Sequence, residues 1–162
     1  MSAATVRLAI RDYIAPTAGL ANTYKAQPHY VGEEAWVAYD GTRGTMAFVN
    51  IDNEAESRIV LDGSPATGKE ITYDVALVLL YEYLIPSDEP SPDDWVDGLD
   101  ALIDALKDRF RADPHLGTGP GGVVWSAAQE DGALQIARDL PKQGDGVVRS
   151  WNVLTFKVQE II

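Results

Sequence analysis

Residues 63–69 begin like a phosphate-binding loop and end in Gly68-Lys69. The complete motif has Ser or Thr directly after the Lys to hold Mg²⁺, and then a helix whose N-terminus cradles the phosphate. Here Glu70 follows Lys69, Pro65 removes a backbone donor, and a strand pattern comes next. Because a carboxylate would lie where phosphate oxygens must go, we predict an exposed loop between strands and no nucleotide site.

A second glycine-rich run, residues 117–122, has glycines at alternate positions. Dinucleotide-binding folds require a strand, then the glycines, then a helix. In this chain a helical pattern precedes the glycines and a strand pattern follows them. The order is reversed, and we predict a flexible turn.

The titratable side chains give similarly weak evidence for a metal site or a catalytic site. His29 and His115 are the only histidines, and neither has a partner at zinc-ligand spacing or a Ser or Asp at the spacing of a catalytic pair. A dense run of acidic residues recurs at the spacing of one helix surface. We interpret these residues as the solvent-exposed face of that helix, with a weak cation site as the alternative. These acids are Asp88, Glu89, Asp93, Asp94, Asp97, Asp100, Asp104 and Asp108. We expect no catalytic, cofactor-binding or metal-binding residues, and therefore no enzyme.

Composition narrows the classes of partner. The 162 residues suit a single domain, residues 1–162, and 13 basic against 25 acidic side chains give a net charge of −12. That charge opposes binding to nucleic acid and to anionic membranes, both of which need clustered Lys and Arg. There are no cysteines, so disulfides are excluded. Without an apolar run of roughly 18 residues or a signal-peptide pattern, we expect a protein of the cytosol or of a particle assembled there.

The elements that position these side chains centre on residues 70–111. Apolar residues occupy every odd position from Ile71 to Ile85, which predicts one long strand. Residues 91–111 predict an amphipathic helix, with Ser91 as N-cap and Pro92 at the first helical position. Its buried stripe would comprise Trp95, Leu99, Leu102, Ile103, Leu106 and Phe110.

The remaining elements are shorter or less regular. Residues 3–14 predict a helix, and residues 36–39 a short strand. Residues 45–51 predict a strand, 52–56 a polar turn, and 57–61 a returning hairpin strand. Strands at 123–128 and 133–137 flank a turn, and 147–162 form a last strand whose apolar phase slips near Val153, which indicates a bulge or burial on both sides. The fold class is therefore α/β (α+β): a mixed, mainly antiparallel sheet with one long amphipathic helix and an N-terminal helix packed on it.

The long strand has a second apolar face in its centre, formed by Ala76, Val78 and Leu80. Such a strand is covered on both faces there. The cover is either part of the same chain or another subunit. Trp151 lies on the last strand, where core packing is the default and an interface is the second choice. We name Ala76, Val78, Leu80 and Trp151 as a possible subunit interface.

The order of elements and three segments, residues 6–14, 75–110 and 151–160, resemble the tail terminator (tail completion) proteins of long-tailed bacteriophages and related minor tail proteins. The likeness lies in size, element order and the character of segments such as Leu-Val-Leu-Leu-Tyr-Glu-Tyr, and it covers most of the chain loosely.

The resemblance implies a structural virion protein that forms a homo-oligomeric ring, typically a hexamer. That ring would cap the head-proximal end of the tail tube, joining tube protein to the head connector, after assembly in the host cytoplasm. It implies no catalytic residues and no cofactor, and an acidic lumen wall would let DNA slide without sequence-specific binding. The alternatives are another head–tail adaptor or minor tail protein, or a small ligand-binding or enzymatic domain with a pocket where acids and a His converge.

Overall fold

In a computed structural model, the structure describes residues 2–28, 44–59, 68–88, 91–119, 123–125, 134–144 and 146–161. This part of the chain contains two helices and seven strands. The helices are α1 (Ala3–Ile14) and α2 (Asp94–Ala112). The strands are β1 (Leu20–Tyr24), β2 (Thr45–Ile59), β3 (Gly68–Leu84), β4 (Val123–Trp125), β5 (Gln135–Arg138), β6 (Lys142–Gly144) and β7 (Val147–Ile161). The predictions at residues 36–39, 60–61, 126–128 and 133 lie outside the described residues.

All of these strands join one sheet in the order β1-β2-β3-β7-β4, with β5 and β6 also paired to β7. Among the strands of the described residues, only the β1–β2 pair is parallel. The β2–β3 and β3–β7 pairs, and the pairs of β7 with β4, β5 and β6, are antiparallel. The strands β4, β5 and β6 follow one another along the same edge of β7. They therefore act as one interrupted edge strand.

Both helices pack on one face of this sheet, which confirms the predicted fold class. The main core joins Val6, Ile10 and Ile14 of α1 and the buried stripe of α2 to the odd-numbered residues of β3 and to Leu154, Phe156 and Val158 of β7. Phe110 is fully buried, and its ring centroid lies 4.9 Å from that of Phe156. The predicted stripe is confirmed from Leu99 to Phe110, while Trp95 is only half-buried.

The C-terminal ends of the two helices are joined directly. The Tyr13 hydroxyl donates a hydrogen bond to the Arg109 carbonyl, and Arg109 Nε donates to the Tyr13 carbonyl. The Arg109 guanidinium lies 4.8 Å from the centroid of the Tyr13 ring, within the range of a cation–π contact. These reciprocal contacts fix α1 against α2.

One predicted hairpin is wrong. Residues 45–51 do not turn back on residues 57–59, the described part of the predicted partner strand, because β2 continues without a turn from Thr45 to Ile59 and pairs with β3 along its length. The register shifts once, between Ile51 and Asn53, which is a β-bulge. The polar residues that suggested a turn are exposed side chains on an extended strand, held there by the ladder with the long β3.

The predicted start of α2 is also wrong. The helix begins at Asp94 with Asp93 as N-cap, and residues 92–93 form a turn. The Ser91 hydroxyl donates to the Asp93 carboxylate and is not the cap of a helical N–H. The hydrogen bond between the Ser91 and Asp93 side chains therefore replaces the expected bond from a helical N–H to Ser91.

The phase slip in the last strand is not a bulge relative to β3. The β3–β7 register is continuous from Leu84↔Val147 to Glu70↔Ile161. The slip arises because, in the half of β7 before Val153, the helix-covered face carries the buried polar residues Ser150 and Asn152. The Asn152 side chain donates to the Ser150 hydroxyl at 3.0 Å.

Gly98 on α2 is required by the close approach of Tyr81. A Cβ at this position would lie 2.5 Å from the Tyr81 hydroxyl oxygen, which donates a hydrogen bond to the Trp95 carbonyl at 3.0 Å. We expect Gly98→Ala to destabilise the fold by about 1–3 kcal/mol despite the better helix propensity of alanine. In a Tyr81→Phe background the nearest ring atom is 3.7 Å away, so the same change should stabilise by up to about 1 kcal/mol. A double-mutant cycle in urea measures this; equal effects in both backgrounds would contradict it.

Two buried tyrosines make the stability of the fold fall at alkaline pH. Burial, followed by the charges of Glu160 and Glu54, raises the pKa of Tyr73 to about 12; burial, followed by Tyr83, raises the pKa of Tyr81 to about 12. Both phenols keep their protons in the folded state while the unfolded chain loses them above about pH 10. Their stabilising contribution is complete below pH 10 and is lost as the pH rises towards 12.

We therefore expect the urea midpoint to fall between pH 10 and 12. The free energy of unfolding should decrease over this range by at most about 3 kcal/mol per tyrosine. Phenolate absorbance, recorded with the unfolding signal, measures it. Tyr73→Phe should remove part of the decline, and an unchanged pH profile in that variant would contradict the assignment to Tyr73.

Candidate functional site

The sheet face turned away from the helices, here called the second face, carries the even-numbered residues of β3. Strand registers place neighbouring side chains in rows across it. One row joins Met46, Leu80 and Trp151, and the next joins Phe48, Val78 and Val153. The first row continues to Asn22 on β1; the second continues to Tyr24 on β1 and Ala137 on β5. The second face therefore has an apolar centre that spans the sheet.

The four predicted interface residues lie on this face but differ in exposure. Leu80 is 0% exposed and Ala76 is 6% exposed, so both are already covered within the chain. Leu80 forms a small core cluster with Met46 and Phe48. Val78 is half-buried, whereas Trp151 is 46% exposed. The interface stays a prediction, and its accessible part consists of Trp151 and Val78.

Charged pairs border the apolar centre at both ends. Arg149 Nε donates to Glu82 Oε2 at 2.9 Å, and the Glu82 side chain is fully buried. The Glu82 backbone N–H is also satisfied, since it donates to the Thr45 hydroxyl at 3.1 Å. At the other end Asp74 lies opposite Lys157, beside a cavity of about 200 Å³ that is also lined by Asp52. An apolar centre with a polar rim is the usual anatomy of a protein–protein interface.

Sequence reasoning missed Phe48, Val153 and the Glu82–Arg149 pair as parts of this face. Only the strand register identifies these residues as neighbours. It pairs Val78 with Phe48 on β2 and with Val153 on β7. The available signal was the alternation in the last strand. That alternation was obscured by the buried polar residues Ser150 and Asn152.

The glycine-rich segments do not form nucleotide-binding geometry where they are described. Lys69 lies within β3, not at the start of a helix, and its Nζ is 2.9 Å from Glu56 Oε1. Residues 63–67, like His29, lie outside the described residues. Gly117 and Gly119 have φ values of 74° and 76°, in a turn directly after α2, as predicted.

His115 lies in that turn, where Asp113 organises the backbone. The Asp113 carboxylate accepts hydrogen bonds from the backbone N–H groups of His115 and Gly117, at 2.8 and 2.9 Å. These bonds hold the pKa of Asp113 below its usual range. The arrangement closes the end of α2 and gives His115 no carboxylate or hydroxyl partner of a catalytic pair among the contacts described.

The acids of α2 lie on its solvent side, as predicted. Lys107 Nζ is 2.9 Å from Asp104, and that hydrogen bond lowers the pKa of Asp104. Arg138 of β5 is 2.6 Å from Asp100. Within the described ranges no group of three or more His, Asp or Glu side chains is placed to hold a metal ion.

A scan against protein-family models and a search of the curated proteins gave no match to this chain. Neither α1 nor α2, the helices of the described residues, combines the length and apolar character needed to cross a membrane.

Proposed function

We propose that this chain is a structural subunit of a bacteriophage virion, a tail terminator that forms a homo-oligomeric ring, a hexamer, at the head–tail junction. The ring caps the head-proximal end of the tail tube, stops further tube polymerisation and presents a surface to the head connector. It uses no cofactor and carries out no catalysis.

The observation that carries this proposal is the exposed Trp151 at the apolar centre of the second face. Trp is among the residues that contribute most to binding energy at protein interfaces. Here it stands between the buried Leu80 on β3 and the interrupted edge strand, with Val153 beside it on β7. A subunit that contacts Trp151 and the half-buried Val78 and Val153 would bury apolar surface that is otherwise in contact with water.

The order of elements also supports the proposal. An N-terminal helix, a long central strand, one amphipathic helix and a closing strand occur as in the resemblance, although the single strand β2 replaces its hairpin region. The net charge of −12 suits a lumen wall that repels DNA phosphates and lets the genome pass.

The function is tested with the tail tube protein of the same phage. Purified tube protein is polymerised with increasing amounts of the chain, and tube lengths are measured by electron microscopy. We expect tubes to become shorter and to carry a cap at one end. Tubes of unchanged length, without bound chain, would contradict a terminator role.

A further inference from the structure

Within the described part of the chain the sheet has two open edges. On one side β1 pairs only with the first part of β2, up to Phe48, and no described strand lies outside residues 50–57, here called the β2 edge. On the other side no described strand lies outside β5 and β6, here called the β5–β6 edge. Apart from Ile51 and Ile136, the residues of both edges are exposed. The outer backbone groups of such edges are available to pair with another strand.

The directions of the two edges suit each other. β2 runs antiparallel to β3, β3 to β7, and β7 to β5 and β6, so the two edges of one chain point in opposite directions. A second copy placed beside the first in the same orientation therefore offers its β2 edge as an antiparallel partner for the β5–β6 edge. The alternation of directions in the sheet would continue from one copy to the next.

Charges on the helix-covered face are complementary between the edges. Arg138 on β5 lies opposite Asn152, and Glu54 on β2 lies opposite Tyr73, so both side chains belong to this face. Arg138 Nη1 also contacts Asp100 of its own chain, and the guanidinium has further donors. Opposite charges that face each other across neighbouring strands stabilise the pairing.

The same pattern recurs on the second face. Lys142 on β6 lies opposite Arg149, and Asp52 borders the cavity of about 200 Å³ on that face. In an antiparallel pair residue numbers rise along one strand as they fall along the other. A register with Arg138 opposite Glu54 therefore also brings Lys142 towards Asp52, and both cations meet acids of the next copy.

The β5–β6 edge is continuous with the exposed surface around Trp151. The Asp139 N–H donates to the Trp151 carbonyl at 2.9 Å, and the next residue, Leu140, is 84% exposed. A strand added to this edge would run past Leu140 and beside the strand that carries Trp151. The proposed contact at Trp151 and the open edge therefore belong to one surface.

We propose that the β5–β6 edge of one copy pairs antiparallel with the β2 edge of the next copy, so that the sheet continues around the ring. The two edges differ, so each copy gives one edge and receives the other. Head-to-tail contacts of this kind form a closed ring when the rotation between copies closes. The inference rests on the proposed function and specifies the strands that join the subunits.

The test uses the absence of cysteine from the sequence. Ala137 on β5 and Ala55 on β2 are exposed and lie on the second face, opposite Val153 and Thr72. Within one copy β3 and β7 separate them, beyond the reach of a short crosslinker. The variant with both Ala137→Cys and Ala55→Cys is treated with a short bis-maleimide and run on a denaturing gel. We expect a ladder of covalent oligomers that ends at the hexamer.

The single variants are the matched controls. A mixture of Ala137→Cys and Ala55→Cys chains should give crosslinked dimers and nothing larger, because each chain then carries one thiol. Either single variant alone should give no dimer, since each thiol faces an alanine of the next copy.

Charge reversal gives a second measurement. Glu54→Lys places a like charge opposite Arg138 and should weaken assembly severalfold. Asp108→Lys makes the same change of net charge at an exposed position on α2 and should leave assembly unchanged. Sedimentation velocity at matched concentrations compares the two variants.

The outcomes separate this inference from the proposed function. A hexamer that gives no crosslink between the two introduced cysteines would overturn the edge pairing alone. Dimers from a single variant alone would also overturn it, because one edge would then pair with itself, and so would equal weakening by both charge reversals. Edge crosslinks without any shortening of tail tubes would support the pairing and contradict the terminator role. A chain that stays monomeric would contradict both.

Discussion

Replacing Trp151 with alanine should prevent ring assembly and leave the subunit folded. The indole is 46% exposed on the second face, so about half of it is buried and its loss costs the isolated subunit about 2–3 kcal/mol, less than the stability of about 5–15 kcal/mol that is typical of a domain. In an assembled ring the same side chain would be buried against a neighbour, where truncating a Trp typically costs at least about 2 kcal/mol, or about thirtyfold in affinity per contact. Sedimentation velocity and urea unfolding of the same samples measure the two effects separately.

The matched control for Trp151 is Leu8→Ala. Leu8 is another exposed hydrophobic residue, 38% exposed, and it lies on α1 across the sheet from the second face. Its truncation should leave assembly unchanged. If Trp151→Ala assembles as well as the unmodified chain, or if both variants lose assembly equally, the second face is not the interface.

Replacing Leu80 with alanine should have the opposite pattern, a large loss of subunit stability. Leu80 is fully buried and packs with Met46 and Phe48 in the cluster of the second face. Removing a buried leucine side chain costs about 2–5 kcal/mol, through lost apolar burial and the cavity left behind. Since domains are stable by only about 5–15 kcal/mol, urea unfolding of the variant would show a much lower midpoint.

Val78→Ala is the comparison for Leu80. Val78 lies on the same strand and the same face but is half-buried, so its truncation should cost the subunit clearly less. If Leu80 packed only against a neighbouring subunit, both variants would be nearly as stable as the unmodified chain. That outcome would contradict the assignment of Leu80 to the core of the subunit.

The strongest periodic patterns predicted the fold well, for physical reasons. The alternation in residues 70–85 predicts β3, observed as Gly68–Leu84, because one face of the strand must be apolar along its whole length to meet the helices. The 3.6-residue period of α2 identifies Leu99, Leu102, Ile103, Leu106 and Phe110 as its buried residues. In each case one face of the element packs on the core, and the requirement for apolar residues on that face sets the period of the sequence.

Local turn chemistry was less informative, because long-range pairing overrides it. Residues 52–56 are polar enough for a turn, yet β3 is long enough to hold them in the ladder through one bulge. The sequence also could not separate Leu80 from Trp151 within the predicted interface. They are cross-strand neighbours on the same face, and only the packing around each decides which is buried. A cavity of about 340 Å³ at the start of α2 escaped prediction because its walls, which include Tyr83, Trp95 and Val148, come from segments far apart in the chain.

The most direct test of the proposed function is native mass spectrometry of the full chain across a range of concentrations, with and without the tail tube protein. A tail terminator should form a closed ring, a hexamer of the 17.6 kDa subunit, whose population rises with concentration or with added tube protein. A chain that stays monomeric at every concentration and forms no complex with the tube protein would contradict it.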